Sequence, residues 1–137
     1  SAASDVYKRQ EEYLYRIRAA DLRDPAVDEE SLRKRVETWA SKTMSDGITM
    51  DLQDNIYLSD LEHSAILMLT PDKQLRTLLK DERIRWPDGF SFGPDGWLYF
   101  TCSALHQVIG KLPTSISANA PYQVYRFRPG PESIPGH

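Results

Sequence analysis

Apolar and polar residues alternate over short runs along most of the chain, and this period of two is typical of β-strands with one buried face. The runs are separated by segments rich in Gly, Pro, Asp and Asn, which favour turns. A first strand is predicted at Tyr13–Ile17. From Ser45 onward the pattern of short runs and turns predicts strands at Gly47–Asp51, Ile56–Ser59, Ala65–Leu69, Leu75–Leu79, Phe90–Phe92, Trp97–Thr101 and Tyr122–Arg128.

One segment before Ser45 has the period of a helix instead. It covers about residues 28–40 and follows a break at Asp24-Pro25. Asp28 is placed to cap its N-terminus, and Leu32, Val36 and Trp39 would share one face. The segment is therefore predicted to be an α-helix inserted against a β structure, with Trp39 as a packing anchor.

The alternation also repeats as a unit. The run SDGITMDLQDNIYLSD begins at Ser45, and PDGFSFGPDGWLYFTC begins 42 residues later at Pro87. A period of roughly 40 residues that carries four short strands is typical of a β-propeller blade. The predicted fold class is all-β: a partial β-propeller of about two to three blades with one inserted α-helix.

The ends of the chain are predicted to lie outside these blades. Residues 11–128 form the blades, with a loop insertion at 103–121, and residues 129–137 form a Pro/Gly-rich tail. Asp5–Gln10 (DVYKRQ) is what GATGTGTATAAGAGACAG encodes, a string that resembles a transposon end used to fragment DNA for sequencing libraries. Residues 1–10 are therefore predicted to be a library or cloning scar rather than a genuine polar tail, and they are left out of the predicted fold.

Composition and charge exclude several classes of protein. The chain has 137 residues, of which 40% are hydrophobic and 27% charged, as in soluble globular domains. The formal net charge of −3 and the lack of a basic run argue against a nucleic-acid surface. No apolar segment approaches the roughly 18 residues of a transmembrane helix. Cys102 is the single cysteine, so it cannot form a disulfide within the chain.

Several motifs occur together in one order: SDGITMDLQDNIYLSDLEHSAI, then WPDGFSFGPDGWLYFT, then Leu105-His106, then PYQVYRF. From about Tyr13 to Arg128 the chain resembles the C-terminal part of the major royal jelly/yellow protein family, most closely the bacterial type described as dopachrome-tautomerase-related. The resemblance departs at Cys102-Ser103-Ala104, where related bacterial sequences carry a polar segment that contains Asn. If relatives bind a ligand through that segment, binding there is in doubt for this chain.

The resemblance implies a six-bladed propeller, similar to the gluconolactonase/regucalcin group, whose upstream blades are missing from this chain. It also implies a secreted or periplasmic protein that binds a small molecule at its central channel. The alternative is a tautomerase-like or lactonase-like enzyme. With strand edges left exposed, the 137 residues are not expected to form a monomer that unfolds cooperatively.

Two acidic residues are candidate metal ligands. Asp46 and Asp88 stand at equivalent places in the repeat, each before a glycine at the start of an innermost strand. Carboxylates that converge on a channel suit Ca²⁺ or another divalent cation, and the resemblance to the gluconolactonase-like group implies ligand positions there. The alternative is turn chemistry, in which Asp bonds nearby amides and Gly supplies a positive φ.

The other candidates are expected on the same rim as Asp46. His63 and His106 are candidate general bases, because an unperturbed imidazole titrates near neutral pH. Glu62 could orient His63 or contact a ligand. Trp86, just before Pro87-Asp88, could line a pocket for an aromatic or cationic ligand. For each, a packing or surface role is the alternative.

Overall fold

The computed structural model describes residues 5–8, 12–131 and 133–136. These residues form three antiparallel sheets, in which the strands follow one another in chain order. The predicted β-rich class is therefore confirmed, whereas closure into a propeller stays a prediction. In place of the one α-helix predicted, the described residues contain three short ones: α1 (Ala19–Arg23), α2 (Glu29–Arg35) and α3 (Pro113–Ala118).

Sheet 1 contains β1 (Asp5–Lys8), β2 (Tyr13–Arg18) and β3 (Glu37–Ser41). Asp5–Lys8 lies within the segment predicted to be a scar, and it pairs with β2 in the register Asp5↔Arg18. The remaining residues of 1–10 lie outside the described ranges.

The predicted helix over 28–40 is wrong beyond Arg35. Asp28 caps α2 as expected, since its Oδ1 accepts from the Ser31 amide at 2.8 Å. Val36 already has extended backbone, and the following residues form β3. A seven-residue helix has little stability of its own, so pairing of β3 with β2 prevails over the helical pattern.

Trp39 lies in β3 and is a packing anchor, as predicted. It packs against the core between sheets 1 and 2. The Arg16 guanidinium lies 3.5 Å from its ring centroid and the Lys73 ammonium 4.4 Å. The Arg16 contact lies within sheet 1, whereas the Lys73 contact joins sheet 1 to the turn between two strands of sheet 2.

Sheets 2 and 3 contain the repeat. Sheet 2 has four strands and sheet 3 has three, so that only sheet 2 has an outer fourth strand. The strands are β4 (Ile48–Met50), β5 (Ile56–Asp60), β6 (Ala65–Leu69) and β7 (Leu75–Lys80) in sheet 2, and β8 (Pro87–Phe92), β9 (Leu98–Cys102) and β10 (Gln123–Phe127) in sheet 3. Each was predicted at this place, with boundaries that differ by up to three residues.

The first hairpins of sheets 2 and 3 share one register. Ile48 pairs with Leu58 in one, and Phe90 pairs with Phe100 in the other, 42 positions on in each strand. Their turns match as well: the Asp51 amide donates to Asn55 O at 3.1 Å, and the Gly93 amide donates to Trp97 O at 2.8 Å. The sequence repeat is therefore a repeat of backbone structure.

The sheets stack in chain order through apolar faces. Leu14, Trp39 and Ala40 of sheet 1 pack on one face of sheet 2. The opposite face of sheet 2, which carries Tyr57 and Ile66, packs on sheet 3. β4 also contacts β8, so the first strands of the two sheets are neighbours.

Two segments predicted as irregular have defined positions. The insertion between β9 and β10 contains a 3₁₀ turn (Leu105–Gln107) and α3. Arg85 fastens it by donating to Gln107 Oε1 and to the carbonyls of Asn119 and Pro121. The tail crosses the first strands, with Ser133 Oγ donating to Met50 O at 2.9 Å; residues 132 and 137 of the tail lie outside the described residues.

Candidate functional site

Ser59 fixes the backbone of the predicted acidic rim. This buried residue is the last but one of β5, and its Oγ accepts hydrogen bonds from the Asp46 and Gly47 amides, both at 2.9 Å. The Leu61 amide donates to Met44 O at 3.1 Å. The segment before β4 and the turn after β5 therefore lie side by side. Sequence alternation predicted this shared rim but gave no role to Ser59.

Trp86, Asp46 and His106 come together on this rim. Trp86 Nε1 donates to Asp46 Oδ2 at 3.0 Å, which joins sheet 3 to sheet 2. The His106 ring stacks on the indole, with centroids 5.9 Å apart and planes inclined by 25°. His106 is exposed and Trp86 is partly buried. An indole held on one edge by a carboxylate and beside an exposed imidazole is a fixed aromatic surface.

The backbone of Trp86 is strained. Its φ is +53°, in the left-handed region that bulky residues rarely occupy. Such a conformation costs about 1–3 kcal/mol and persists only where the surroundings hold it. Trp86 O accepts from the Ser103 amide at 3.2 Å, and its side chain bonds to Asp46. Strain of this kind gathers at ligand clamps and switch regions, and nothing in the sequence pattern indicated it.

His63 has a different partner from the one predicted. Its Nδ1 lies 3.0 Å from Asp60 Oδ2, so Asp60 rather than the adjacent Glu62 orients the ring. Asp60 Oδ1 also accepts from the amides of Glu62 and His63, both at 3.1 Å. Asp60 is 95% buried at its side chain, whereas His63 is 55% exposed. The pair therefore has one fixed carboxylate and one accessible imidazole.

The same turn brings three ligand-type atoms together. One atom each from Asp60, Glu62 and His63 lies within 4.8 Å of the others. Both Asp60 oxygens already accept hydrogen bonds inside the turn. Glu62 also lines an open groove of about 400 Å³. The rest of its lining comes from the other side of the rim: Glu12, Tyr13, Ser41, Lys42, Thr43 and Met44.

Asp88 sits where β8 passes close to the start of β4. A Cβ built on Gly47 would lie 2.8 Å from Asp88 O and 2.8 Å from the Phe90 ring. Neither Gly47 nor Gly89 has a positive φ, so the expectation that these glycines supply one is wrong. Gly47 is needed for close approach of two strands. The assignment of Asp46 and Asp88 as metal ligands stays a prediction.

The opposite end of sheet 2 holds a buried polar network. Asp51 accepts hydrogen bonds from the amides of Gln53 and Asn55, from Asn55 Nδ2 and from the Tyr57 hydroxyl, at 2.8–3.0 Å. Burial, and then the Asp51 hydrogen bond, raises the pKa of Tyr57 well above its usual value. All of these contacts close the β4–β5 turn, so the network supports structure.

Cys102 ends β9 and is 2% exposed. Burial raises the pKa of its thiol, which keeps the sulfur protonated and poorly nucleophilic. Cys102 is therefore a small buried side chain rather than a nucleophile.

Comparison with known proteins adds no family. Neither the scan against protein-family models nor the search of curated proteins finds a match to this chain. Among the described residues, no helix has the length and apolar character needed to cross a membrane.

Proposed function

We propose that this chain is the C-terminal part of a six-bladed propeller of the major royal jelly/yellow family, secreted or periplasmic, with its upstream blades missing here. Two structural features support a propeller. The four strands of sheet 2 follow one another in order, and the equivalent hairpin of sheet 3 repeats its register. Consecutive sheets also pack face to face with their first strands in contact.

The proposed activity is the binding of a small molecule on the rim at the channel. The observation that carries it is Trp86, held in a strained backbone by Asp46 and stacked on exposed His106. A flat ligand can stack on these rings, and a positive group on it would meet the Asp46 carboxylate. Because Asp46 already holds the indole, the Trp86 side chain loses little conformational freedom when a ligand arrives.

The residues present fit a cation in part. Asp46 and Asp88 could each offer a carboxylate oxygen to Ca²⁺, but Asp46 Oδ2 already accepts from Trp86 Nε1. Ca²⁺ takes 6–8 oxygens, and the remaining ligands would have to come from the missing blades. Asp46 and Asp88 would hold the ion, which would supply positive charge for an anionic or carbonyl group of the ligand.

The test uses the complete protein that contains this chain. Calorimetric titrations with Ca²⁺, with a catechol and with an aldonolactone would be repeated on Trp86→Leu and Trp97→Leu. Trp97 lies just before β9, at the opposite end of the hairpin, and is the matched control. Loss of one ring contact should weaken the binding of the small molecule about tenfold, or by about 1.4 kcal/mol, and it should do so in Trp86→Leu alone. Equal binding by both variants and wild type would refute the site.

The Asp46→Ala/Asp88→Ala double variant tests the ion separately. This double substitution should abolish the heat of Ca²⁺ binding in the calorimetric titration. If it binds Ca²⁺ as wild type does, the two carboxylates are not the ligands, whatever the result for Trp86.

The second candidate is a tautomerase-like or lactonase-like enzyme, favoured by the Asp60–His63 pair. Asp60 fixes Nδ1 of His63, and the exposed ring can exchange a proton with a substrate at its other nitrogen. His63→Gln should then lower kcat at least a hundredfold on a converted substrate, while His106→Gln mainly raises KM. If the complete wild-type protein turns over neither dopachrome nor lactones, the enzyme candidate is refuted and only the binding function remains.

A further inference from the structure

Arg85 and Trp86 are adjacent in the chain, and their side chains hold two different parts of the rim. Trp86 Nε1 donates to a carboxylate beside sheet 2. The Arg85 guanidinium instead contacts the insertion between β9 and β10. The Ala104 amide donates to Arg85 O at 3.0 Å. The Ser103 amide donates to Trp86 O at 3.2 Å, so the start of the insertion is bonded to both residues.

The Arg85 guanidinium ties the two ends of this insertion together. Its Nη1 donates to Gln107 Oε1 at 3.0 Å and to Asn119 O at 3.2 Å. Its Nη2 donates to Asn119 O at 3.2 Å and to Pro121 O at 3.1 Å. These four hydrogen bonds use both hydrogens of each terminal nitrogen. Lysine has no such planar fork, so a lysine in this place could not bond all three acceptors at once.

The two helical segments of the insertion have little packing that could fix His106. Neither the 3₁₀ turn, Leu105–Gln107, nor α3 contains a buried residue, and both are too short to be stable in isolation. A segment with few buried contacts opens locally at low cost unless other bonds hold it. Gln107 directly follows His106, so its bond to Arg85 acts on the turn that carries the imidazole.

We propose that Arg85 is the positioning residue of the ligand site: it holds the insertion so that the His106 ring stays stacked on Trp86. The His106 side chain is exposed, so burial does not keep its ring on the indole. Trp86 is held separately, by Asp46. Loss of the guanidinium should therefore release the imidazole and leave the indole in place. The consequence for a ligand rests on the proposed binding function, whereas the position of His106 can be measured without any ligand.

The first test follows the ring protons of His106 by NMR in the complete protein that contains this chain, with no ligand added. The signal is identified by its loss in His106→Gln. The ring current of a stacked indole shields these protons, so the signal should lie upfield of that of an exposed histidine. Arg85→Met should move it to the position that it has in Trp86→Leu. Arg85→Lys should move it in the same direction, because the charge remains but the fork is lost.

Arg83 provides the matched control. It lies two positions before Arg85 in the same connection between β7 and β8, but its exposed guanidinium pairs with Asp81 at 2.7 Å. Arg83→Met should leave the His106 signal unchanged. The signal of His63 on the same rim should be unchanged in both variants, which shows that the rest of the rim is intact.

A milder variant serves if Arg85→Met does not fold. Gln107→Met removes one of the three acceptors and leaves the bonds to Asn119 and Pro121. It should shift the His106 signal part of the way towards its position in Trp86→Leu. An unshifted signal in Gln107→Met would then count against the proposal.

The second test shows whether Arg85 acts on a ligand through His106. Binding of a catechol and of an aldonolactone is titrated for Arg85→Met, for His106→Gln and for the double variant. For a probe that binds to wild type, each single variant should weaken binding about fivefold, as expected for one aromatic contact. The double variant should bind no more weakly than His106→Gln, because without the imidazole Arg85 has nothing to position.

Two further results would overturn the proposal. An unmoved His106 signal in Arg85→Met would show that the stack does not depend on this guanidinium. Losses that add in the double variant, to about twenty-five-fold, would show that Arg85 serves the ligand by another route. Failure of the wild-type protein to bind either probe would instead refute the proposed ligand site, and the NMR signal would still decide whether Arg85 holds His106 in place.

Discussion

Gly47 offers a sharp test of how sheets 2 and 3 meet. Gly47→Ala adds one Cβ, which would lie 2.8 Å from Asp88 O and 2.8 Å from two carbons of the Phe90 ring. Ordinary van der Waals contact begins at 3.4 Å. Asp88 O and the Phe90 ring must therefore move away from the new methyl group by about 0.6 Å. Asp88 O belongs to a strand backbone and cannot rotate away. Overpacking of this kind costs about 1–3 kcal/mol.

The repeat provides the control. Gly89 is equivalent to Gly47, but a Cβ on Gly89 would meet only the Thr101 hydroxyl, at 3.3 Å, and a side chain can turn aside. Gly89→Ala should therefore be nearly neutral. In thermal melts followed by circular dichroism, Gly47→Ala should lower Tm by roughly 5–10 °C.

All melts would use one protein concentration, because association shifts the apparent stability. A Gly47→Ala Tm equal to that of Gly89→Ala would show that β4 and β8 are not in contact, and that the stacking of sheets 2 and 3 is wrong.

Ser59→Ala removes the acceptor of the Asp46 and Gly47 amides and should lower the free energy of unfolding by about 2 kcal/mol in urea titrations; a loss below 0.5 kcal/mol would contradict the role given to this hydroxyl. Tyr57→Phe should lower the free energy of unfolding by about 1–2 kcal/mol, because the Asp51 carboxylate stays buried but loses one of its hydrogen-bond donors. Since the pKa of Tyr57 is raised in the folded chain, stability should be fully present below about pH 10 and fall as pH rises above it. Tyr57→Phe should flatten that decline, and an unchanged slope would refute the assignment. Cys102 should react with a thiol reagent at least a hundredfold more slowly in native buffer than in urea, and equal rates would contradict its burial.

The alternation of apolar and polar residues determined much of the fold. The strands of sheets 2 and 3 were predictable because they are short apolar or alternating runs bounded by turn residues, although β5 and β6 are buried on both faces. The repeat predicted two equivalent hairpins because the same turn positions follow the same strands. It also predicted a shared rim for Asp46 and the β5–β6 turn.

What sequence could not decide depended on contacts between elements. The pattern over 28–40 is helical, yet residues 37–41 form β3. They do so because β2 provides a strand to pair with and because Trp39 packs against the core from that position. The turn alternative gave Gly47 a positive φ, whereas the structure shows that a glycine there allows β8 to approach β4 closely. Local pattern carries no information about a neighbour 40 positions away.

For the candidate site too, the sequence determined one part and the tertiary structure another. Residue type and position singled out Asp46, Trp86 and His106, but only tertiary structure joins them, since the indole of sheet 3 reaches a carboxylate beside sheet 2. The strained backbone of Trp86 and the choice of Asp60 as partner of His63 likewise arise from packing and turn geometry. Sequence supplied the chemical groups, and the stacking of the sheets decided which of them meet.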